Sequence, residues 1–229
     1  LNQCDHKIKI IGLGGIGSIL SEKLSRFLNF SKDNAKITLI DGDKYEVKNF
    51  VRQDFANIGN KSDVKKFELG NKFDTIEYES FPFYVTQDKV KDLIENGDVV
   101  FLAVDNHKTR KVVSDFVKTL NDIVLISGGN DYIDGNVQIY IKEGGEEKTP
   151  AITDYHPEID EPDDKSPEEM GCEELAKSEP QLYFTNLFAA TLMCCSFYNV
   201  LKGDRKISEV YFDIEQMNSM SKQRELIKK

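Results

Sequence analysis

The chain has 229 residues, 40 acidic and 30 basic, with a formal net charge of −10. That length supports one large core with a small extension, and that charge argues against nonspecific nucleic-acid binding. Its four cysteines (Cys4, Cys172, Cys194, Cys195) contain no C-x-x-C pair, which excludes a disulfide framework and makes structural zinc unexpected. With no visible signal peptide, the expectation is a cytoplasmic protein.

Residues 7–11 read as a short buried strand, mostly β-branched. Residues 18–30 place apolar side chains at Ile19, Leu20, Leu24, Phe27 and Leu28, a helical spacing. Between them lies Gly12-Leu13-Gly14-Gly15-Ile16-Gly17-Ser18, so the glycines occupy a strand-to-helix turn. Missing Cβ atoms there let the backbone approach a phosphate, and the helix start supplies N–H groups and partial positive charge. A glycine turn that binds nothing is the plainer reading, and the matched context weighs against it. The next apolar strand, 37–40, ends in Asp41, whose carboxylate can accept hydrogen bonds from ribose hydroxyls. This much fits any Rossmann-type protein.

Asp41-Gly42-Asp43 leads to Asn49-Phe50-Val51-Arg52-Gln53, a polar cluster that a triphosphate needs and a dehydrogenase does not. Arg52 offers a planar fork of donors suited to phosphate oxygens. Lys61 opens a predicted helix over 62–69, where a cation gains nothing from the helix dipole. A phosphate role and a solvated role for it are evenly balanced, because Lys65 and Lys66 are close by. The uncharged strand 99–104 ends in Asp105, at the carboxyl end where open α/β sheets bind ligands. Asp105 can hold Mg²⁺ or cap the helix over 107–120; Asn106 can take the cap and leave Asp105 to the metal.

Residues 122–128 form another buried strand. Asp134-Gly135, between strand-like runs, suggests a hairpin that begins an antiparallel extension. Residues 146–180 hold five of the six prolines and many acids, and read as a long mobile loop. The apolar run 182–201 is long enough to tempt a transmembrane assignment, but Thr185, Asn186, Thr191, Ser196 and Asn199 interrupt it, so a buried or interface helix is expected, with Cys194 and Cys195 in the core. A closing strand over 207–214 and a solvated basic tail over 222–229 complete the chain. No repeat is visible.

Taken together, these motifs resemble the adenylating superfamily of ubiquitin-activating E1 enzymes and their bacterial ThiF and MoeB relatives. The residues carrying the resemblance are Gly12, Gly14, Gly15, Gly17 and Ser18, then Asp41, Asp43, Val47, Asn49, Arg52 and Gln53, then Lys61, Asp105, Asn106 and Arg110. It implies one adenylation domain over 1–229, with a nucleotide-binding half (1–128) and a sheet extension with a crossover loop (129–229). The implied fold is a Rossmann-like, mainly parallel sheet with helices on both faces, an antiparallel extension and a long acidic crossover loop. The implied reaction is Mg²⁺- and ATP-dependent adenylation of the C-terminal glycine of a ubiquitin-like or sulfur-carrier protein ending in Gly-Gly.

By position, the resemblance assigns Asp41 to the ribose, Asn49, Arg52 and Lys61 to the phosphates and Asp105 to Mg²⁺. Gly12, Gly14, Gly15, Gly17, Asp43, Gln53 and Asn106 complete the cofactor set, and Arg110 anchors its helix. Cys172 is a candidate thiol for the activated carboxylate, although the carboxylates at Glu168, Glu169, Glu173 and Glu174 would blunt it and favour an inert surface cysteine. An arginine that the family carries in an N-terminal helix is not found here: it has been removed, is supplied by a partner, or is absent. The expected assembly is a homodimer, with neither nucleic acid nor membrane as partner. Two other functions stay open, an NAD-dependent oxidoreductase using the same loop and an E1-like scaffold that has lost catalysis.

Overall fold

The computed structural model describes residues 5–31, 34–47, 49, 55–165 and 182–227. Its parallel strands are β1 (Asp5–Ile11), β2 (Asn34–Ile40), β5 (Ile76–Phe81), β6 (Val99–Leu102) and the first part of a longer strand, β7 (Ile123–Asn130). A separate two-residue ribbon pairs β3 (Lys44–Tyr45) with β4 (Gly59–Asn60). Beyond β7 the sheet turns antiparallel, through β8 (Asp134–Glu143), β9 (Glu146–Glu147), β10 (Glu209–Asp213) and β11 (Asn218–Lys222). The main sheet has nine strands in the order β11-β10-β8-β7-β6-β1-β2-β5, with β9 paired to β8.

Strand sequence explains why helices cover both faces. Along β1, Ile8 and Ile10 enter one core while Ile11 enters the other; along β6, Phe101 faces the first core while Val100 and Leu102 face the second. Side chains alternate with period two, so an uninterrupted apolar strand must be buried twice. The first core is covered by α1 (Gly15–Ser31), α2 (Lys61–Lys72) and α6 (Tyr183–Leu201). The second lies under α3 (Val90–Leu93), α4 (His107–Val117) and α5 (Pro157–Asp160). Ile16, Ile19, Leu20, Leu24 and Leu28 form the buried stripe of α1, at the spacing that marks an amphipathic helix.

Chain order gives the sheet its switch point. From β1 the chain steps outward to β2 and β5, then returns to place β6 on the other side of β1. Strands diverge from that line, and the crevice beyond their carboxyl ends is where open α/β sheets bind ligands.

Several expectations change in detail. The β7–β8 turn lies at residues 131–133, and Asp134-Gly135 opens β8 instead of making the turn. Gly135 sits opposite Asn130, and a Cβ there would meet Gly129 and Phe212, so close strand packing explains this glycine. The stretch 146–165 is packed, because Ala151, Ile152 and Ile159 enter the second core; the rest of the expected crossover loop, 166–180, lies outside the described residues. Cys194 is part-buried, but Cys195 is exposed, at the mouth of a cleft between α6 and the strands that carry Ile139, Val210 and Ser219. α6 has the length and composition of a membrane span, yet Ala189, Ala190, Met193 and Phe197 pack into the first core with β7 and β8. Its other side exposes Phe184, Phe188, Tyr198 and Leu201.

The basic tail is also tied down. Lys222 pairs within β11, and Arg224 donates to the carboxylate of Glu209 at 3.0 Å and to the Tyr211 hydroxyl at 3.1 Å. Glu209 is only 2% exposed, and its other oxygen meets His156 Nε2 at 2.6 Å, while His156 Nδ1 meets Glu158 at 2.8 Å. Burial alone would raise the Glu209 pKa, but His156, Tyr211 and Arg224 bring it down to about 2. Burial alone would lower the His156 pKa, and its hydrogen bonds to Glu209 and Glu158 raise it instead.

The signs set a pH window. His156 stabilises the fold fully below its ordinary pKa of 6.5, and that contribution is lost as pH rises through the raised value. Glu209 stabilises above its ordinary 4.5, and that contribution is lost as pH falls towards about 2. Glu209→Gln is expected to cost about 3 kcal/mol near neutral pH, the low end for a broken buried pair, because His156 keeps Glu158 as a partner. The loss should shrink at pH values where His156 is neutral. Chemical denaturation across the pH range checks both; a loss independent of pH would contradict the His156 coupling.

Candidate nucleotide site

The glycine loop follows β1 at the switch point, and its glycines do different jobs. Gly12 has φ +87°, and a Cβ there would lie 2.7 Å from the Ala103 carbonyl oxygen, just past β6. A Cβ on Gly17 would collide with the Gly12 carbonyl, and one on Gly15 with the Asn186 side chain of α6. These three glycines serve close packing. Gly14 alone of the four faces open space, with nothing within 4 Å of a Cβ placed on it. It is the position where backbone can approach a ligand at the start of α1.

Asp41 fastens this loop to β2. Its carboxylate accepts from Leu13 N at 2.6 Å and from Asp43 N at 2.8 Å. Burial raises its pKa, and Lys61 opposes that rise. The β3–β4 ribbon closes the excursion between Tyr45 and Gly59, and so delivers Lys61 to Asp43. Lys61 N donates to the Asp43 carbonyl at 2.9 Å, and Lys61 Nζ to its carboxylate at 2.9 Å. Asn60 caps α2, accepting from Ser62 N and Asp63 N, while its amide nitrogen donates to the carbonyls of Asp41 and Asp43.

Lys61 is 7% exposed. Burial would lower its pKa, but Asp41, Asp43 and Asp105 together raise it, so the ammonium stays charged. Lys65, one helical turn further on, turns to Glu68 at 2.8 Å. Both lysines lie over the Tyr45 ring, at 6.0 and 5.9 Å from its centre. Tyr45 donates to the Leu13 carbonyl at 2.9 Å and stacks on Phe55, which fixes this floor to the glycine loop.

Asp105 follows β6 on the far side of the crevice. Asn106 caps α4 through Thr109 N at 2.8 Å. Arg110 is buried and ties the ends of β6 and β7 together, donating to the carbonyls of Val104 at 2.6 Å and Gly128 at 2.8 Å, and to Ser127. Burial lowers its pKa to about 10, against Asp105 and Asp164. Asn49 is buried and closes a local turn: its side-chain oxygen accepts from Glu46 N at 2.9 Å. Arg52, Gln53 and Cys172 lie outside the described residues.

Two contributors escaped sequence reasoning. Asp164, from the acidic stretch, accepts from the backbone N–H groups of His107 at 2.5 Å and Lys108 at 3.1 Å, at the start of α4. Nothing in the sequence marks it among so many acids. Tyr84 donates to the Asp43 carboxylate. It follows β5, whose last residue Phe81 aligns with Ile40 of β2, so the carboxyl-end rule that singled out Asp41 and Asp105 applies to it as well.

The site therefore combines an open glycine position, a loop-fastening carboxylate, a buried ammonium and a strand-end carboxylate across the crevice. Its ammonium can contact an anion, and its carboxylates can hold a cation that the anion shares. Among the described residues, no group of three or more His, Cys, Asp or Glu side chains converges to hold a metal ion unaided.

Known proteins share this fold. E. coli MccB, in a structure with ATP, matches 95% of this chain and 63% of its own, with 18% identity and a TM-score of 0.69. PaaA matches 95% of this chain and 64% of its own, with 20% identity and a TM-score of 0.69. At these identities the likeness shows the fold. Ubiquitin-like modifier-activating enzyme 5 of Oryza sativa subsp. japonica is 27% identical over 155 residues, which cover 60% of this chain and 35% of the relative. Adenylyltransferase and sulfurtransferase MOCS3 of Dictyostelium discoideum is 27% identical over 149 residues, covering 63% and 34%. The chain thus spans about a third of the length of these curated relatives. The ThiF family matches residues 3–229, and with the Rossmann-like sheet, the glycine loop and the Asp41–Lys61–Asp105 crevice on one chain, the protein belongs to the ThiF family.

Proposed function

We propose that this chain uses Mg–ATP to adenylate the C-terminal glycine of a small ubiquitin-like or sulfur-carrier protein. One observation carries the reading: the Lys61 ammonium, buried and held charged by Asp41, Asp43 and Asp105 at the switch point. The names of the relatives, an activating enzyme for a ubiquitin-like modifier and an adenylyltransferase, support it, as does an E. coli MccB structure with ATP. A nicotinamide dinucleotide, with a pyrophosphate in place of a triphosphate, makes less use of this cation.

The chemistry suits the residues. A carboxylate oxygen of the partner's terminal glycine forms a bond to the α-phosphorus, and the bond from that phosphorus to the pyrophosphate oxygen breaks. The nucleophile is already ionised at neutral pH, so no general base is required. What is required is positioning of two anions and relief of their repulsion. Gly14 lets the α1 start approach the phosphates, and Asp41 accepts from the ribose. Lys61, with Asn49, Arg52 and Gln53, draws the phosphate chain, and Asn106 holds α4 so that Asp105 stays at the crevice. Asp105 suits Mg²⁺, a hard cation that takes one or two carboxylates and shares the rest of its shell with water and phosphate oxygens. Bound there, the ion would withdraw charge from the phosphates.

ATP–pyrophosphate exchange, with the Gly-Gly-ended protein that copurifies, tests the reading. Asp105→Ala and Lys61→Ala should each lower exchange by about 10²–10³-fold, the scale of a lost charge-stabilising group. Lys65→Ala should retain more activity than Lys61→Ala. Wild-type protein that binds Mg–ATP without exchange would favour a scaffold, and binding of NAD in its place an oxidoreductase.

We further propose a homodimer built on α6. Residues 183–201 carry no charge, although 31% of the chain is charged. Copies that each carry a net charge of −10 can meet only where like charge is scarce. Phe184, Phe188, Tyr198 and Leu201 supply apolar surface there. Sedimentation at micromolar concentration should give twice 26.1 kDa, and a monomer would defeat the dimer.

A further inference from the structure

We propose that Tyr84 is a positioning residue of the nucleotide site: it keeps hold of the Asp43 carboxylate when Lys61 turns from Asp43 to a phosphate oxygen. The inference rests on the adenylation reading and adds a residue outside its motifs. Lys61 Nζ sits on one oxygen of Asp43 at 2.9 Å, and the Tyr84 hydroxyl donates to the other. An anionic ligand that recruits Lys61 draws it away from Asp43. Asp43 then loses one of its partners while it stays a carboxylate beside Asp41, Asp105 and the incoming phosphates. A donor that stays in place limits that penalty, since hydrogen bonds to a charged group are the strong ones.

The local backbone is shaped for this contact. A Cβ on residue 42 would lie 2.7 Å from Cγ and from Cδ2 of the Tyr84 ring, atoms too near the root of the side chain to swing aside. Gly42 thus admits the ring against the turn between Asp41 and Asp43. Burial, the bond to Asp43 and the nearby Asp41 and Asp105 all raise the Tyr84 pKa, so it remains a donor at any working pH.

The test is steady-state exchange with Mg–ATP, with calorimetric binding of Mg–ATP and thermal unfolding on the same proteins. Tyr84→Phe should raise the KM and Kd for ATP about tenfold, the scale of one hydrogen bond to a charged group, and leave kcat nearly unchanged. Gly42→Ala should force the turn and Tyr84 apart and reproduce the effect. Asp43→Asn removes the carboxylate that Tyr84 serves, so adding Tyr84→Phe to it should change KM little. A purely structural tyrosine would instead lower the unfolding temperature and affect both backgrounds alike. Equal KM for wild type and Tyr84→Phe, or additive effects in the double variant, overturns the role of Tyr84 and leaves the adenylation reading intact. A wild-type protein that binds no Mg–ATP overturns both.

Discussion

The Lys61 ammonium, taken out of water and set among Asp41, Asp43 and Asp105, is the interaction on which the site depends. Burying an ammonium is costly unless charges of opposite sign close round it. Those charges are delivered by two separate strand ends. Asp41 and Asp43 come from the end of β2 and Asp105 from the end of β6, and the β3–β4 ribbon sets the start of α2 beside them. Gly12 lets the chain after β1 pass tightly beside Ala103, which brings the two sides of the crevice together. Loss of the cation would leave carboxylates facing one another, and loss of any strand end would leave the cation partly uncompensated.

The same cluster bears on how a nucleotide could enter. Lys61 against three carboxylates leaves an excess of negative charge, so a bare triphosphate meets repulsion as well as attraction. Yet the carboxylates do not converge on a metal cavity of their own. Under the adenylation reading both facts favour a cation that arrives shared with the phosphates, as magnesium usually does. The buried Arg110 offsets part of that excess near Asp105. Arg110 spends its donors on the Val104 and Gly128 carbonyls and on Ser127, holding β6 to β7.

Much of this was legible in the sequence because the deciding signals are local. Short uncharged or apolar runs gave β1, β2, β6 and β7; helical spacing gave α1; glycines between strand and helix located the switch-point loop. The order of Asp41, Lys61 and Asp105 could be read because each lies next to such an element. What could not be read depends on distance. The four glycines of the loop look equivalent on paper, but their jobs are set by Ala103, Asn186 and Gly12, which only folding brings near. Tyr84 reaches Asp43 across 41 positions, and Glu209 reaches His156 across 53. The tail at Arg224 reads as a solvated basic run because its partners, Glu209 and Tyr211, lie on the neighbouring strand. Asp134-Gly135 misled for a related reason: the tightness that demands glycine comes from Phe212 and Gly129, not from a turn.

The antiparallel half is joined to the nucleotide half by the stretch from Ala151 to Asp164. At one end His156 is held by Glu209 of β10. In the middle, Ile159 enters the second core and Asp160 meets Lys111 of α4 at 3.0 Å. At the other end Asp164 occupies two backbone N–H groups at the start of α4, immediately after Asp105 and Asn106. A carboxylate is well placed there, because the positive end of the helix dipole and free N–H groups favour negative charge. The stretch therefore runs from a buried ion network in the sheet extension to the helix start beside the crevice. Its three attachments are of different kinds: an ion network, an apolar contact with a flanking salt bridge, and a helix cap. The first weakens when His156 loses its proton, whereas packing of Ile159 does not respond to pH in that range. Position of the α4 start is thereby set from two sides, by Arg110 from within the sheet and by Asp164 from the extension. A rigid crevice wall at Asp105 needs both, because a helix held at its buried face alone can still fray at its first turn.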